Sequence, residues 1–367
     1  MGLEATLLNK VDVTVSTYQR KTSDKISSFN LPATAGYTSL TTNNGSIQNK
    51  GVEADVNYRA VNGRDWTVSV SANVAYNANK ILKLPANGLE NNRQGGIQVY
   101  DPRAGKIVFV GGYQEGQDPS TAYAYVAEDL YRTQADLDKY AANLVDLNGA
   151  KILLGSNKWN NLTPAQRNSY YQIAMGDVRW KDIDQNDTID YRDRARMGRT
   201  IPRWTGGFSV NVKYKRLSLS TRLDYALGFV QFDGPRAWFL GNSQGTFNTT
   251  SEVFDSYTPE NINAKYPTYY WADQLFKANV TRESSMFYKK GDYLALREVS
   301  LSYSLPTKWA DKIRSQGVNF TLTGQNLAYL SESTLFSPES GSLSVGSAGS
   351  GGYPLPRTFI FGVQFIF

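Results

Sequence analysis

The residues best suited to chemistry lie together in one acidic run, DIDQNDTIDYRD, at residues 182–193. Carboxylate or amide oxygens stand at positions 1, 3, 5 and 12 of this run, and position 7 offers a backbone carbonyl. This is the ligand spacing of an EF-hand calcium loop, in which position 9 often binds the ion through a water molecule. We therefore predict a structural Ca²⁺ site formed by Asp182, Asp184, Asn186, Thr188, Asp190 and Asp193.

Two residues of the run depart from the calcium-loop pattern. Position 6 is Asp187, where glycine usually makes the turn, although aspartate tolerates a positive φ better than most residues. Position 12 is Asp193, which reaches less far as a bidentate ligand than the usual glutamate. The alternative is an aspartate-rich surface turn without an ion. Four nearby arginines are expected to pair with the acidic residues: Arg192, Arg194, Arg196 and Arg199.

Histidine and cysteine are both absent from the 367 residues. Their absence excludes Ser–His and Cys–His nucleophilic catalysis, disulfide bonds and cysteine zinc sites. A glycosidase would need two carboxyl groups held about 5–10 Å apart in a cleft, and the sequence singles out no such pair. We therefore predict that the chain is not an enzyme and nominate no catalytic or substrate-binding residue. The net charge of +6 comes without a basic run, so no nucleic-acid partner is expected.

Much of the chain alternates between apolar and polar residues with a period of two, which is typical of β-strands with one apolar face. Several of these strands run for about ten residues, the length that a tilted strand needs to cross a bilayer. Aromatic residues at both ends of the apolar faces, such as Trp66 with Tyr76 and Trp204 with Tyr214, match the interfacial girdles of membrane barrels. Eight strands are predicted, around residues 11–15, 52–58, 66–76, 204–214, 217–227, 299–303, 318–322 and 359–367.

Short and long connections alternate along the chain. Outer-membrane barrels have short periplasmic turns and longer extracellular loops, so all the long connections are expected outside the cell. The 77–203 excursion is expected to carry the calcium loop and short helices, within 127–144 and after Thr163, and to cross the membrane either twice or not at all. Residues 61–65, 215–216 and 306–317 make the short links, and residues 22–50, 77–203, 228–292 and 329–356 make the long ones.

The chain ends on an aromatic stripe on one face of its last strand. A soluble edge strand with this stripe would be an aggregation hazard, whereas a strand of a membrane barrel turns it towards lipid. The stripe also resembles the C-terminal signal that the outer-membrane assembly machinery reads. The alternative fold is a soluble, calcium-stabilised carbohydrate-binding β-sandwich, which explains the alternation but not the stripe. The stripe consists of Phe359, Phe361, Val363, Phe365 and Phe367.

Several segments, in their order and spacing, resemble the SusC/RagA-like TonB-dependent transporters of the Bacteroidetes outer membrane. They are NKGVEADVNYRA (49–60), SANVAYNANKILKL (71–84), GDVRWKDIDQNDTIDYRDRARMGRTIPRWTGGFSVNVKYK (176–215), YKKGDYLALREVSLSYSLPTKW (288–309), GQNLAYL (324–330) and YPLPRTFIFGVQFIF (353–367). The resemblance is to the C-terminal barrel region of that family and covers residues 1–367. It implies an all-β, transmembrane antiparallel β-barrel of 22 strands, which an N-terminal plug domain closes.

Through this resemblance we expect a nutrient importer in the outer membrane of a Gram-negative, Bacteroidetes-like bacterium, with a glycan or an oligopeptide as its cargo. A SusD-like surface lipoprotein is the implied partner at the mouth of the barrel, and TonB is implied to supply energy through the plug domain. Residues 1–367 contain nothing that resembles this plug domain. A piece of a longer protein is therefore expected rather than an independent eight-stranded barrel.

Overall fold

The computed structural model describes residues 1–30, 36–86, 90–92, 97–101, 106–110, 112–147, 151–241, 248–270, 275–332, 339 and 355–367. Its main feature is one antiparallel sheet of nine strands, here called the wall, in which each strand pairs with the wall strands before and after it. The strands of the wall are β1 Gly2–Leu7, β2 Val11–Asn30, β3 Ser39–Asn62, β4 Trp66–Lys83, β5 Trp204–Tyr214, β6 Leu217–Leu227, β7 Tyr293–Ser304, β8 Gly317–Ser331 and β9 Thr358–Ile366.

All eight predicted strands occur, and the structure adds β1, which pairs with β2 across a tight turn. Leu8 and Asn9 make that turn with φ values of 52° and 53°, which match the twist of a hairpin. The prediction that residues 22–50 form a long link is wrong, because β2 continues to Asn30 and β3 begins at Ser39. These extensions lie beyond the predicted alternating stretches, so the period-two pattern gave no sign of them.

The 77–203 excursion does not interrupt the wall. β4 and β5 pair directly, from Tyr76 opposite Trp204 to Trp66 opposite Tyr214. No described residue between 84 and 203 belongs to a strand of the wall. The sequence leaves open whether the excursion crosses the membrane twice or not at all. The described residues show no crossing, and the excursion leaves and returns at the same end of the wall.

The excursion and the second long segment form a separate folded region, here called the loop body, which comprises the described residues of 112–199 and 229–291. Its antiparallel strand pairs are Thr121–Tyr125 with Arg194–Arg199, Ala127–Leu130 with Val178–Trp180, and Val230–Phe232 with Tyr288–Lys290. A four-stranded sheet has the order Tyr170–Gln172, Ile152–Leu154, Val145–Asp146 and Thr188–Ile189. A hairpin of Ile97–Asp101 and Lys106–Val110 precedes the loop body.

The helices are short, as predicted for the long loops. Thr163 caps the helix Pro164–Arg167 through a capping box with Gln166, which confirms the predicted helix start. The helix predicted within 127–144 covers only Gln134–Tyr140, because residues 127–130 pair as a strand instead. The helices are α1 Gln134–Tyr140, α2 Ser156–Asn160, α3 Pro164–Arg167, α4 Gly234–Gly241 and α5 Thr307–Ala310, with 3₁₀ turns at Glu90–Asn92, Tyr191–Asp193, Ser251–Asp255 and Asp311–Ile313. Among the described helices, none is long and apolar enough to span a membrane.

The main apolar core lies in the loop body and not against the wall. Its largest cluster packs Trp180 and Ile189 of the excursion with Tyr257 of the second long segment. On the wall, by contrast, the side chains of Phe359, Phe361 and Phe365 are 72%, 68% and 51% exposed. A β-sandwich would bury such a stripe between two layers, so the structure contradicts the sandwich alternative.

Candidate functional site

The acidic run folds into a tight loop through its own backbone. Asp187, at position 6, has φ 60°, which is the left-handed conformation that glycine usually supplies there, and Gln185 has φ 56°. The amides of Asn186 and Asp187 donate to the two carboxylate oxygens of Asp182, at 3.2 and 2.8 Å. These hydrogen bonds fold residues 185–187 back over position 1 of the run.

Three of the six predicted ligands present converging carboxylates. Oxygen atoms of Asp182, Asp184 and Asp193 lie within 4.8 Å of one another. Asn186 lies beside them, since its Nδ2 donates to Asp184 at 2.9 Å. Carboxylates this close repel one another, and a bound cation relieves the repulsion. Calcium prefers such oxygen ligands and takes six to eight of them.

Asp193 is the most deeply placed of the three carboxylates, with no exposed surface. Its oxygens accept hydrogen bonds from the amides of Ile183 at 2.7 Å and Asp190 at 2.8 Å. Burial raises the pKa of the Asp193 carboxyl to about 6, and the neighbouring charges of Asp182 and Asp184 add to the rise. A cation at this position would favour the ionised form of the carboxyl and lower the same pKa.

The structure does not bring the Asp190 side chain into the carboxylate group. Its carboxylate is held by Arg192, whose Nη2 lies 2.7 Å away and whose Nε lies 3.1 Å from both oxygens. The same guanidinium lies 3.5 Å from Asp184 and partly neutralises that side of the loop. An ion in the loop would therefore contact Asp190 through a bridging water, which is the usual arrangement at position 9.

Thr188 offers the backbone carbonyl of position 7. It lies on the strand Thr188–Ile189, which pairs in parallel with Val145–Asp146. The carbonyls on either side of Thr188 accept from amides of that neighbouring strand, at 2.9 and 3.0 Å. Because successive carbonyls point to opposite edges of a strand, the Thr188 carbonyl points away from the pairing. The donor set of three carboxylates, one amide and one carbonyl fits calcium once water completes the shell.

The arginines near the acidic run bind different partners. Arg192 pairs with the acidic residues of the run, as expected. Arg194 instead binds Glu283 of the second long segment at 2.5 Å, and Arg199 binds Asp118 at 2.7 Å. Arg199 also donates to the carbonyl of Asn77 at 3.2 Å, which ties the end of the excursion to β4.

Two buried ion pairs join the acidic loop region to the second long segment. Lys277 lies 2.6 Å from Asp177, and Arg282 lies 2.8 Å from Asp146; all four side chains are 3% exposed. The sequence alone does not predict these pairs, because the partners lie 100 and 136 residues apart and no local spacing marks them. Lys277 is the only one of the two cations with a local signal, because it stands among apolar residues in LFKANV, whereas Arg282 lies in the polar stretch TRESS.

One face of the wall is apolar and exposed. The rings of Trp66 and Tyr214 lie 4.3 Å apart, and those of Tyr76 and Trp204 lie 4.7 Å apart. The two aromatic pairs stand ten residue steps apart along β4, which is roughly 33 Å along a strand and roughly 25 Å across a membrane at the usual tilt. Exposed side chains on this face include Val52, Val56, Phe208, Leu219, Leu301 and Leu322.

The opposite face of the wall is polar. Hydroxyl groups pair across β7 and β8, with 2.8 Å between Ser300 and Thr323 and 3.3 Å between Ser302 and Thr321. A shallow groove on this face is lined by residues of four strands, among them Glu53, Asp55, Asn73, Ser209 and Arg222. Such a face suits the aqueous interior of a barrel.

Four of the five stripe residues lie on β9 and Phe367 follows it; β9 pairs with β8 from Thr358 opposite Gln325 to Ile366 opposite Gly317. The rings of its last two phenylalanines stack with centroids 6.3 Å apart. This geometry presents the stripe to lipid or to another protein. Its role as an assembly signal stays a prediction. All five of its residues are exposed: Phe359, Phe361, Val363, Phe365 and Phe367.

Comparisons with known proteins agree with this geometry, although no protein-family model matches the chain. The chain is 24% identical to TonB-dependent receptor P3 of Formosa agariphila over 376 aligned positions, which cover 100% of this chain and 33% of that receptor. It is also 24% identical to the TonB-dependent receptor SusC of Bacteroides thetaiotaomicron, over 100% of this chain and 31% of SusC. The chain is similar to the SusC/RagA-like TonB-dependent receptors.

The solved structure of the RagAB peptide transporter has the same fold, with a TM-score of 0.69 and 22% identity over 99% of this chain and 34% of that one. The predicted resemblance to the barrel region of SusC/RagA-like receptors and the predicted fold class of antiparallel β-barrel are thereby confirmed. The predicted location in the outer membrane is confirmed as well. The chain spans about a third of the length of the curated SusC/RagA-like receptors that it matches.

Proposed function

We propose that this chain is part of the barrel of an outer-membrane TonB-dependent transporter that imports a nutrient. The observation that carries the proposal is the exposed apolar face of the wall between its two aromatic pairs. Such a face is stable in contact with lipid and would aggregate in water. The polar face then borders the interior through which the cargo passes. The role is transport, and we propose no catalysis.

We propose that the cargo is a glycan or an oligopeptide and that a SusD-like surface lipoprotein covers the mouth of the barrel. The similarity to SusC and to a structure described as a peptide transporter supports both proposals. The loop body adds support, because it exposes large apolar side chains such as Leu147, Ile262 and the 86%-exposed Phe254. TonB would act through a plug domain of the full receptor, and the assembly machinery through the terminal stripe.

The test of import uses the full-length receptor in its own bacterium. We expect deletion of the receptor to abolish growth on one class of cargo, either glycans or oligopeptides, and to leave growth on monosaccharides and amino acids unchanged. We also expect a surface lipoprotein to co-purify with the tagged receptor in detergent. Normal growth of the deletion strain on both cargo classes, together with a receptor that purifies alone, would contradict the proposal.

We further propose that the acidic loop binds one structural Ca²⁺ ion, with Asp182, Asp184 and Asp193 as the carboxylate ligands. The convergence of three carboxylates within 4.8 Å supports the site. Asn186 and the Thr188 carbonyl would complete the direct protein ligands, and Asp190 would bind through water. The ion would stiffen the loop, since it ties position 1 of the run to position 12.

Limited proteolysis of the loop body tests the calcium site. We expect chelation to accelerate cleavage of the unaltered receptor several-fold, because the three carboxylates then repel one another. The double variant Asp182→Asn with Asp193→Asn should be cleaved rapidly with or without calcium. Asp187→Asn is the matched control, because the exposed position 6 supplies no side-chain ligand. Identical cleavage of the unaltered receptor in calcium and in chelator would rule the site out.

A further inference from the structure

The apolar face of the wall is free of charge along β2, β3 and β4 until it nears the end from which the long loops leave. Strand pairing shows which side chains share this face, because residues paired across antiparallel strands point to the same side of the sheet. Four successive rows on this face contain no charged residue. They are Val11–Tyr58–Val70, Val13–Val56–Ala72, Val15–Ala54–Val74 and Thr17–Val52–Tyr76.

Two further rows carry three lysines on the same face. These rows are Gln19–Lys50–Ala78 and Lys21–Gln48–Lys80. The pairing has no register shift between them and the four apolar rows, so the lysines point to the same side as the apolar side chains. With strands about 4.8 Å apart and about 3.3 Å per residue, the Cα atoms of the three lysines lie within about 10 Å of one another.

The three lysines are exposed, and none of them forms an ion pair with another residue that the structure describes. Glu115 of the excursion, near the end of β4, has other partners, since it accepts from the amide of Leu84 at 2.9 Å and from Asn92 at 2.8 Å. Gly116 leaves Lys80 uncovered, because even an added Cβ would stand 4.0 Å from the Lys80 Cε. Neighbouring ammonium groups repel one another, and a bound anion relieves this repulsion.

The position of the lysines along the strands places them at the membrane surface. The ring of Tyr76 packs against Trp204, and this aromatic pair marks the border of the apolar band. Lys50 lies two residues beyond the row of Tyr76, and Lys21 and Lys80 lie four residues beyond it. At a strand tilt of about 45° these distances are roughly 5 and 9 Å along the membrane normal. The lysine side chains therefore lie at the level of lipid head groups.

We propose that Lys21, Lys50 and Lys80 bind the phosphorylated sugar head group of lipid A, the membrane anchor of lipopolysaccharide. This glycolipid is the main component of the outer leaflet of an outer membrane. The lysines neutralise the phosphate charge, and Gln19 and Gln48, which stand between them, offer amides to the sugar hydroxyls. The acyl chains pack on the apolar rows. This inference rests on the proposed function, because an importer has its long loops outside the cell and this end of the wall in the outer leaflet.

Native mass spectrometry of the detergent-solubilised full-length receptor tests the site. The probes are purified lipid A and the same lipid A after enzymatic removal of its phosphates. We expect the unaltered receptor to retain at least fivefold more of the phosphorylated form. The triple variant Lys21→Gln, Lys50→Gln and Lys80→Gln should lose this preference.

The matched control removes three exposed lysines from the short links at the other end of the wall. It combines Lys215→Gln, Lys308→Gln and Lys312→Gln. The net charge of the receptor falls by the same amount in both triple variants, so a general attraction of the receptor for anions would weaken equally. We expect the control to keep the preference for phosphorylated lipid A. Heat-modifiable gel mobility shows that each variant has folded.

Inorganic phosphate distinguishes a lipid site from a site for free phosphate. We expect inorganic phosphate, at the same concentration as the lipid, to leave lipid A bound, because the free anion has no acyl chains to pack on the apolar rows. Release of lipid A by inorganic phosphate would overturn the proposal. Equal retention of the two lipid A forms by the unaltered receptor, or equal losses in the two triple variants, would overturn it as well.

Growth on the cargo, measured with the same variants, separates this inference from the proposed function. We expect the triple variant at positions 21, 50 and 80 to support normal growth, because these lysines point away from the interior of the barrel. An unaltered receptor that supports growth but shows no preference for phosphorylated lipid A would overturn the lipid site alone. Unchanged growth after deletion of the receptor would instead contradict the transporter.

Discussion

A buried ion pair between Lys277 and Asp177 connects the two long segments of the loop body. Lys277 donates to Asp177 at 2.6 Å and also to the carbonyl of Gln172. Asn279 donates to the other carboxylate oxygen of Asp177 at 2.9 Å. Because both charged side chains are 3% exposed, water cannot replace either partner. Removal of one partner leaves an uncompensated buried charge, which is far more destabilising than the pair is stabilising.

Lys277→Met is therefore expected to destabilise the loop body by about 3–5 kcal/mol. The additional change Asp177→Asn should restore part of the loss, because it removes the unpaired charge. Lys158→Ala, on the exposed side of α2, is the control and should change little. Urea-dependent proteolysis of the loop body measures these effects. Equal sensitivity of the Lys277 and Lys158 variants would show that the buried pair does not hold the two segments together.

The candidate calcium site was predictable in part at the level of single residues. Converging carboxylates within twelve consecutive residues follow from local loop geometry, so spacing alone indicates Asp182, Asp184 and Asp193. The ion pair between Asp190 and Arg192 depends on the rotamers of the two side chains, which the spacing of residues in the sequence does not specify. The Asp146–Arg282 pair depends on the packing of distant segments, and nothing in the local sequence indicates it.

At the level of elements, the strands that cross the membrane were the most predictable. Along β5 and β6 one face meets lipid and the other meets water, so alternation persists over eleven residues in each strand. β1 has only six residues and was not predicted. The ends of β2 and β3 were missed because their pairing continues outside the alternating stretches. The pairing register emerges only when neighbouring strands are placed side by side.

Gly206 of the wall packs closely against neighbouring strands, and substitution of this glycine tests the importance of the close packing. Gly206→Ala on β5 is expected to destabilise the barrel by about 1–3 kcal/mol. The new Cβ would stand 2.2 Å from the Asn73 carbonyl oxygen and 2.5 Å from the Tyr225 hydroxyl. Gly362→Ala on β9 is the matched control, because its nearest neighbour is the Cβ of Thr321 at 3.9 Å.

The temperature at which the barrel loses its compact gel mobility measures both glycine variants. We expect this temperature to fall for Gly206→Ala and to stay within error for Gly362→Ala. A similar fall for both variants would mean that glycine is needed at these positions for backbone conformation and not for close packing.

The whole molecule combines two regions with opposite relations to solvent. The loop body buries its apolar side chains in a core, as a water-soluble domain does. The wall exposes its apolar side chains on one face and keeps its hydroxyls and charges on the other. A wall with this division is stable only in a lipid environment, as the barrel of an outer-membrane transporter requires.

The most direct test of that division uses neighbouring residues on one strand. The chain has no cysteine, so Phe208→Cys and Ser209→Cys on β5 can each carry one fluorescent label within the reconstituted full-length receptor. Nitroxide lipids should quench the label at position 208 several-fold more strongly than at 209, and the same contrast should recur between positions 210 and 211. Equal quenching at both faces, or stronger quenching at 209 and 211, would contradict the conclusion that the apolar face contacts lipid.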